Sequence, residues 1–290
     1  MPIMKYMIRG WYTGASGMRA QQWRLDAVAN NLANVDTTGY KRDVAAHKAF
    51  PEMLLRRIGD DGVYQHPFGS ADAAPIIGKL GTGVEVNELF TNFDQGAPKE
   101  TQSDFDLMLE GKGFFAVATP QGERYTRNGT FVLGKEGYLE TKDGFPLMGE
   151  NGPIRVKANN FKVDAEGRVW INNAYPDDPE VMVGRESNLW EETMLLDTLR
   201  VVDFEFDRYL KKQGNSLWFE TEESGPPIPL TTEEYRPKVV QGFIEAANVD
   251  PVVEMVRMIE VNRAYEANQK VIQTEEAMLG TLINQVAKFG

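Results

Sequence analysis

The residues of this chain that come closest to a cofactor motif lie between positions 111 and 116. Gly111, Gly113 and Ala116 match the G-x-G-x-x-G/A pattern, in which the glycines let a pyrophosphate approach the N-terminus of a helix. Residues 114–117 are instead typical of a strand, which is the wrong context for a dinucleotide site. We therefore interpret the pattern as a turn at a sheet edge and predict no cofactor.

Alternating carboxylates at Asp203, Glu205 and Asp207 are the best candidates for a cation site, because calcium binds several converging carboxylate oxygens. Side chains two residues apart on one strand face are spaced by roughly 6 to 7 Å and do not converge. The pair Asp104 and Asp106 has no partner in the sequence that would support acid–base catalysis. The sequence thus predicts solvated carboxylates on the outer face of a strand.

Cysteine is absent, and the only histidines are His47 and His66. This composition excludes disulfides, thiolate nucleophiles, Cys-ligated zinc and a three-histidine metal site. Two histidines also leave no Ser/His/Asp arrangement to defend. We predict no catalytic, cofactor-binding or metal-binding residues, and we do not expect an enzyme.

The charge of the chain is unevenly distributed. The formal net charge is −12 over 290 residues, which argues against nucleic acid as a partner. Residues 1–60 hold nine Lys or Arg and five Asp or Glu, a balance of +4, so the remainder carries −16. This charge asymmetry has two interpretations. It indicates either differently solvated faces of the protein or a basic end that meets an acidic surface on a neighbouring subunit. The sequence contains no run of eighteen apolar residues, so it does not predict membrane insertion. The N-terminus lacks the apolar centre of a secretory signal.

A long helix is predicted from Asp250 to the C-terminus. Asp250 suits the N-cap position, and Pro251 suits the first helical position. At roughly 1.5 Å per residue the helix would be on the order of 50 Å long, so its apolar face needs a partner. Its stripe has a coiled-coil period. The stripe consists of Met258, Val261, Tyr265, Asn268, Ile272, Glu275, Leu279, Leu282 and Val286.

Residues 8–34 predict the partner helix, because they repeat the same step of three and four residues. Gly14 and Gly17 each cost about 1 kcal/mol relative to alanine and should loosen its first turns. We expect the two terminal helices to pair, although each could instead cap a globular core. The N-terminal stripe consists of Ile8, Trp11, Ala15, Met18, Gln22, Leu25, Ala29 and Leu32.

The middle of the chain is predicted to be mainly β. Asn128-Gly129 and Asn151-Gly152 are two of several turn signals that separate short strand-like segments, as in a β-meander. Residues 173–190 are expected to form a surface excursion. The predicted fold class is therefore α+β. It comprises an N-terminal helix of an inner domain (1–34), a connector (35–83), a β-rich outer domain (84–241) and the C-terminal helix of the inner domain (242–290).

Three groups of motifs resemble those of the bacterial flagellar basal-body rod and hook proteins. The N-terminal group comprises residues 14–18 (GASGM), 29–35 (ANNLANV) and 38–41 (TGYK), and the C-terminal group comprises residues 242–249 and 263–268 (RAYEAN). The middle group comprises residues 81–84, 111–115 and 125–129 (YTRNG). The resemblance covers nearly the whole chain in the right order. Residues 144–154 are more similar to the proximal-rod (FlgF-type) than to the distal-rod (FlgG-type) subunits.

The resemblance implies a structural subunit that self-associates into a helical tube, the axial shaft that transmits torque across the periplasm. Its partners would be other flagellar rod and hook-basal-body subunits, together with the flagellar export apparatus, which would carry the chain without a Sec signal. The distal rod is the alternative position, and outside the family the alternative is a secreted oligomeric binding module with a helical stalk. The residues expected in helix pairing and assembly are Leu25, Asn30, Asn31, Leu32, Asn34, Arg263, Tyr265, Asn268, Ile272, Leu279 and Leu282.

Overall fold

The computed structural model describes residues 2–56, 63–66, 69–72, 76–158, 160–172, 193–214, 216–230 and 236–286. The excursion predicted at residues 173–190 lies outside the described residues. The chain divides into two compact units. The first unit contains residues 1–30, 43–90 and 252–290, and the second contains residues 31–42 and 91–251. Each unit is therefore assembled from segments that are distant in the sequence.

The first unit combines two long helices with paired strands. Helix α1 spans Pro2–Ala33 and helix α2 spans Pro251–Val286, so α2 begins at the predicted proline. The strands of this unit are β1 (Asp43–Ala49), β2 (Met53–Arg56), β3 (Val63–His66), β4 (Gly69–Asp72), β5 (Ile76–Leu80) and β6 (Val84–Thr91). They form three two-stranded sheets, β1 with β6, β2 with β5 and β3 with β4. The terminal helices and the β-rich middle confirm the predicted α+β class.

Helix α1 contacts α2 through glycines. A Cβ atom added at Gly14 would lie 2.9 Å from Ile272 Cγ1, and one at Gly17 would lie 2.9 Å from Asn268 Nδ2. One turn earlier in α1, Gly10 faces the carboxylate of Glu275. From Gly10 to Gly17 the residue numbers increase along α1, while those of the facing α2 residues decrease from Glu275 to Asn268. The two helices therefore run antiparallel here. These glycines leave room for the side chains of α2, a role that their low helix propensity did not indicate.

The face that α1 buries differs from its predicted stripe. Over residues 10–33, the part of this helix whose side chains are described, the buried residues are small or polar: Gly14, Ala20, Ala27, Val28 and Asn31. In the stripe, Trp11, Ala15, Gln22 and Ala29 are exposed, and Met18, Leu25 and Leu32 are half-buried. The predicted stripe is thus at most half-buried, and the most deeply buried positions lie beside it.

The second unit is a β structure built from short antiparallel strands. Its strands are β7 (Pro98–Glu100), β8 (Leu107–Glu110), β9 (Phe114–Thr119), β10 (Gly122–Thr126), β11 (Phe131–Leu133), β12 (Leu139–Thr141), β13 (Phe161–Val163), β14 (Arg168–Asn172), β15 (Thr193–Thr198), β16 (Val201–Asp203), β17 (Lys211–Gly214), β18 (Leu217–Phe219), β19 (Ile228–Pro229), β20 (Lys238–Gln241) and β21 (Phe243–Glu245). The largest sheet has the order β17-β18-β10-β9-β16-β19. Smaller sheets are β13-β14-β15, β11-β12, β20-β8 and β21-β7.

Two apolar clusters fill this unit. One contains Leu107, Phe115, Phe131, Leu139 and Leu147 among its fully buried members. The other surrounds Trp218 and consists of Phe114, Ala116, Tyr125, Val202, Phe204 and Leu210. Alternating faces of β9 supply both clusters, because successive side chains of a strand point to opposite sides of the sheet. The sheet thus has a covered core on each face of β9.

The alternating carboxylates do not lie on one long strand, contrary to the prediction. Strand β16 ends at Asp203, and Asp207 begins a short 3-10 helix that ends at Tyr209. In β16, Val202 pairs with Phe114, the first residue of β9. Gly113, just before it, has a φ of +127°, so β9 offers no further residue for pairing and the strand pattern stops.

Candidate functional site

The most deeply buried charges of the second unit form one cluster. Lys41 follows the 38–40 turn, and its Nζ lies 2.6 Å from Glu245 Oε1, with exposed side-chain fractions of 0 % and 1 %. The same Nζ donates to the carbonyl oxygen of Asp94 at 2.8 Å. The Gly96 N–H donates to Glu245 Oε1 at 2.7 Å. The pair therefore joins three segments that are far apart in the sequence.

Arg127 brings a second cation to the same carboxylate. Its Nη1 lies 3.6 Å from Glu245 Oε2, and its Nη2 donates to the carbonyl oxygen of Gly111 at 2.7 Å. Burial lowers the pKa of Arg127, and Glu245 opposes that effect. Burial likewise lowers the pKa of Lys41 against the same opposing carboxylate. Because two buried cations share one buried carboxylate, removal of Glu245 would leave both without their shared counter-charge.

The side-chain amide of Asn248 binds the same segments a second time. Its Oδ1 accepts from the Arg42 N–H at 2.7 Å, and its Nδ2 donates to the carbonyl oxygens of Asn92 at 2.8 Å and Asp94 at 3.0 Å. The Asn92 N–H donates in turn to the Arg42 carbonyl oxygen at 2.8 Å. An amide suits this position because it offers both an acceptor and two donors. Asn248 thus fixes residues 42, 92 and 94 around itself.

The end of α1 enters the same network through Tyr40. The Tyr40 hydroxyl donates to Asn31 Oδ1 at 3.1 Å, and both residues are buried. Lys212 Nζ lies 4.7 Å from the centre of the Tyr40 ring and donates to the carbonyl oxygen of Lys41 at 3.0 Å. The ring is therefore held between an amide on one edge and an ammonium over its face.

Gly39 explains why the turn before Lys41 needs glycine. Its φ is +65°, a left-handed conformation that glycine adopts without steric cost. A Cβ here would lie 2.5 Å from the carbonyl carbon of Arg127. The Gly39 N–H donates to the carbonyl oxygen of Glu245 at 2.8 Å, and the neighbouring Thr38 Oγ1 donates to Asn128 Oδ1 at 2.6 Å. The turn thus rests directly on the backbone that carries Arg127.

We call this set of contacts the polar junction and define it by Asn31, Tyr40, Lys41, Arg127, Glu245 and Asn248. It holds residues 31, 40–42, 92–96 and 245–250 in one place within the second unit. The segment ending at Asn31 comes from α1, and the segment ending at Asp250 leads into α2. The junction therefore fixes, inside the second unit, the points at which the chain enters and leaves it.

A polar cavity of about 360 Å³ lies beside the polar junction. Its lining includes Arg42, Asn92, Asp94, Asn248 and Asp250. The carboxylate of Asp94 accepts from Asn92 Nδ2 at 2.8 Å. Among the described residues, no group of three or more His, Asp or Glu side chains could hold a metal ion. Of the lining side chains, Asn248 hydrogen-bonds to the surrounding backbone.

The residues predicted for helix pairing fall in different environments. Asn31 is buried and belongs to the polar junction, and Asn34 Oδ1 accepts from Thr37 Oγ1 at 3.3 Å. Asn268 and Ile272 face the glycines of α1. The half-buried members are Leu25, Leu32, Asn34, Asn268, Ile272 and Leu279, and the exposed members are Asn30, Arg263, Tyr265 and Leu282. Their role in pairing and assembly stays a prediction.

The ionic cluster itself was not predicted from the sequence. Glu245 stands between Ile244 and Ala246 in a short apolar segment, and Arg127 follows the buried Tyr125 and Thr126. A charge inside an apolar segment is the one local signal that could have drawn attention to either residue. Nothing local indicates that Lys41 and Arg127, which are distant in the sequence, both lie beside Glu245.

The helices of the described part of the chain are not of the membrane-spanning kind. None of them combines the length and the apolar character that a bilayer crossing requires. The charged and amide residues of α2, such as Glu260, Asn262 and Glu266, interrupt its apolar positions repeatedly.

Three family models match the chain. They are the flagella basal body rod protein at residues 12–41, the flagellar hook protein FlgE/F/G D1 domain at residues 108–171, and the flagellar basal body rod FlgEFG protein C-terminal at residues 240–285. Lys41, Arg127 and Glu245 each fall in a different one of these ranges. The polar junction is therefore the place where all three matched regions meet.

Similar proteins extend over nearly the full chain. The flagellar basal-body rod protein FlgG of Buchnera aphidicola subsp. Acyrthosiphon pisum is 33 % identical over 95 % of this chain and 99 % of its own length. The flagellar hook-basal body complex protein FlhO of Bacillus subtilis is 32 % identical over 98 % of this chain and 100 % of its own. The flagellar basal-body rod protein FlgF of Caulobacter vibrioides is 30 % identical over 96 % and 98 %, respectively.

Proposed function

Because the chain belongs to the flagellar basal-body rod family, we propose that it polymerises through its terminal helices into the axial shaft and transmits torque along it. It is a structural subunit of the flagellar basal-body rod and associates with other rod and basal-body subunits. We also propose which surfaces assemble, where in the rod the chain lies, how it is exported and that it has no catalytic activity.

The observation that carries this proposal is the uncovered apolar surface of α2. Val252, Met255, Val256 and Ile259 have exposed fractions of 66 %, 49 %, 51 % and 53 %. Their spacing of three and four residues places them on one side of the helix. Val261, which is buried, and Asn268 and Ile272, which meet α1, lie on the other side. An exposed apolar stripe of this kind is typical of a protein interaction surface.

Other parts of the first unit support the same conclusion. Trp11 and Trp23 of α1 are 40 % and 46 % exposed. In the β2–β5 ribbon, Leu54 and Leu55 are neighbours and both are exposed, at 53 % and 37 %. Successive side chains point to opposite faces of a strand, so the ribbon exposes apolar groups on both faces. We infer that copies of the chain cover these surfaces in the shaft.

Torque transmission follows from the symmetry of such contacts. Identical head-to-tail interfaces between subunits propagate as an open helical array. A shaft of this kind carries torsion only if each subunit resists internal deformation, and the polar junction supplies buried, charge-assisted contacts for that purpose. We also propose that the chain is divided in the shaft into an inner helical domain, a connector and an outer β domain.

For the position in the rod we propose the proximal segment, with the distal segment as the alternative. The support is the similarity of residues 144–154 to proximal subunits. Cryo-electron microscopy of purified basal bodies tests this directly. Density for this chain in a short segment next to the membrane base is expected, whereas a long segment adjoining the hook would assign it to the distal rod.

The assembly surface is tested by replacing Ile259 with Asp in cells that lack the native copy. The isolated variant should unfold at the wild-type temperature, because Ile259 is exposed in the single chain. Its cells should form no complete rods and should not swim, because the new carboxylate would be buried unpaired between subunits. Gln269→Asp is the matched control, since it adds the same charge at an exposed polar position of α2. Normal rods in the Ile259→Asp cells would contradict the proposed surface.

Two further parts of the proposal concern export and catalysis. We propose that the flagellar export apparatus carries the chain without a Sec signal, so export should stop in cells that lack that apparatus and continue when Sec is inhibited. We also propose that the chain has no enzymatic activity. Turnover of hydrolase or oxidoreductase substrates by the purified protein would contradict the latter.

A further inference from the structure

The chain contains the dipeptide Asn-Gly twice in the second unit, in two different environments. Asparagine followed by glycine is the sequence in which a backbone nitrogen most easily reaches a side-chain amide, because glycine has no Cβ to obstruct the approach. Neither pair has a part in the structural role proposed above. Their environments decide whether either pair reacts.

Asn128-Gly129 is held rigidly. Asn128 Oδ1 accepts from Thr38 Oγ1 at 2.6 Å and from the Thr130 N–H at 3.1 Å. Gly129 is pressed against the backbone of Leu107, whose N–H donates to the Gly129 carbonyl oxygen at 2.9 Å. A Cβ at Gly129 would lie 1.5 Å from the Leu107 carbonyl oxygen. Rotation of this peptide would therefore break contacts of a fully buried residue.

Asn151-Gly152 lies on an open turn. Asn151 is exposed, and a Cβ at Gly152 would meet no atom within 4 Å. Gly152 has a φ of +142°. Its carbonyl oxygen accepts from the Gly149 N–H at 2.7 Å, while within the described residues its own N–H makes no backbone hydrogen bond. The restraint on the asparagine comes from Asp197, whose Oδ1 accepts from Asn151 Nδ2 at 2.8 Å and whose Oδ2 accepts from the Asn151 N–H at 3.1 Å.

We propose that Asn151 is a site of spontaneous deamidation and that Asp197 sets its rate. The Gly152 backbone nitrogen loses its proton to solvent and attacks Asn151 Cγ, forming the N–C bond of a succinimide. The Cγ–Nδ2 bond breaks, and the amide nitrogen takes a proton and leaves as ammonia. Water then opens the ring to give aspartate or isoaspartate at position 151. No oxidant, metal or further reactant is required.

Asp197 acts as a restraint because it holds the amide together with the main-chain N–H of the same residue. This arrangement directs Asn151 Nδ2 and Cγ towards Asp197 rather than towards Gly152. One solvent-exposed hydrogen bond of this kind slows the rearrangement by roughly fivefold. Deamidation replaces a donor by a second carboxylate next to Asp197, and like charges at this distance repel. The turn should then separate from the end of β15.

The test is peptide mapping by mass spectrometry of the full chain after incubation in mildly alkaline buffer, with isoaspartate measured by an isoaspartyl methyltransferase assay. In the folded protein we expect conversion at Asn151 and none at Asn128 over the same period. In urea the two sites should convert at similar rates, because only the fold distinguishes them. Asp197→Ala should speed conversion at Asn151 roughly fivefold, and Asn151→Gln should abolish it.

Any of three results would overturn the proposal. Conversion at Asn128 as fast as at Asn151 in the folded chain would show that the environment does not select the site. Conversion at Asn151 in urea but none in the folded protein would show that the turn is closed to the reaction. An unchanged or slower rate in Asp197→Ala would overturn the role of Asp197 as a restraint.

Discussion

The two units of this protein treat their apolar and charged side chains in opposite ways. The second unit buries Trp218, Phe114 and Phe115 and also a paired set of charges, while it leaves comparatively few large apolar groups exposed. The described part of the first unit buries mainly small residues, such as Ala20 and Ala27, and exposes many large ones. One unit completes its own core, whereas the described part of the other leaves many large apolar side chains exposed.

This difference matters energetically for a subunit that assembles. Full burial of one large aliphatic side chain stabilises a structure by about 1.5–3 kcal/mol. Residues such as Val252, Ile259 and Ile283 are exposed at 66 %, 53 % and 61 % in the single chain, so under the proposed assembly their burial would stabilise the contacts between subunits. The β unit does not depend on those contacts, because its polar junction and apolar clusters are already formed in the single chain.

The largest effect that would sharpen this contrast is expected at the buried ion pair. Lys41→Met should lower the free energy of unfolding by about 3 kcal/mol, because it leaves Glu245 buried with Arg127, 3.6 Å away, as its one remaining cationic partner among the described residues. Chemical denaturation followed by tryptophan fluorescence measures the change, since Trp218 lies in the same unit. The double variant Lys41→Met/Glu245→Gln should recover part of the loss.

The first unit supplies the matched control for that experiment. Lys79 and Glu52 form the same kind of pair at 3.0 Å, with exposed fractions of 68 % and 51 %. Exposed pairs contribute little because water and salt screen them, so Lys79→Met should leave the unfolding midpoint almost unchanged. Equal effects of Lys41→Met and Lys79→Met would show that burial does not distinguish the two units in the way described above.

A smaller effect is expected where α1 and α2 meet. Gly14→Leu should destabilise the helix contact by about 2 kcal/mol, because the added side chain would need the space occupied by Ile272. Gly280→Leu is the control on α2, since a Cβ at Gly280 meets no atom within 4 Å. That variant should gain about 0.8 kcal/mol from helix propensity. Circular dichroism of the helical signal during heating measures both, and the same sign for the two variants would argue against a close contact at Gly14.

The sequence predicted the elements of the fold better than the faces that they bury. Asp250-Pro251 marks the start of α2 because the capping chemistry is local, and the turns around Asn128-Gly129 mark β11 for the same reason. The buried face of α1 was missed because hydrophobic periodicity follows large side chains. The helix instead packs on α2 through Gly14 and Gly17, where the absence of a side chain permits close approach.

The polar junction was beyond sequence reasoning for a different physical reason. Lys41, Arg127 and Glu245 stand on three segments whose meeting depends on the closure of the whole second unit. No local pattern encodes such a contact, and a single charged residue in an apolar segment indicates burial without identifying its partner. The motifs of the family contain all three residues, but it is the structure that shows Lys41 and Arg127 on either side of the same carboxylate, that of Glu245.

The smallest of the expected effects concerns alkaline stability of the second unit. Burial raises the pKa of the Tyr125 phenol above its usual value near 10, and the nearby Glu123 and Glu220 add to the shift. Below pH 10 the phenol is neutral in both folded and unfolded chains, so it adds no pH dependence. Above pH 10 the unfolded chain loses the proton while the folded chain keeps it, so stability should fall by about 1.4 kcal/mol per pH unit.

Tyr125→Phe should remove that share of the alkaline loss, because phenylalanine keeps the ring in the cluster around Trp218 and has no proton to lose. Tyr265 of α2, 36 % exposed in the first unit, gives the matched comparison: Tyr265→Phe should retain the wild-type decline. Unfolding free energies measured on either side of pH 10 distinguish the two variants. A wild-type decline in Tyr125→Phe would mean that Tyr125 is not the source of the alkaline sensitivity, and the buried core of the second unit would then be more open to solvent than its packing around Trp218 indicates.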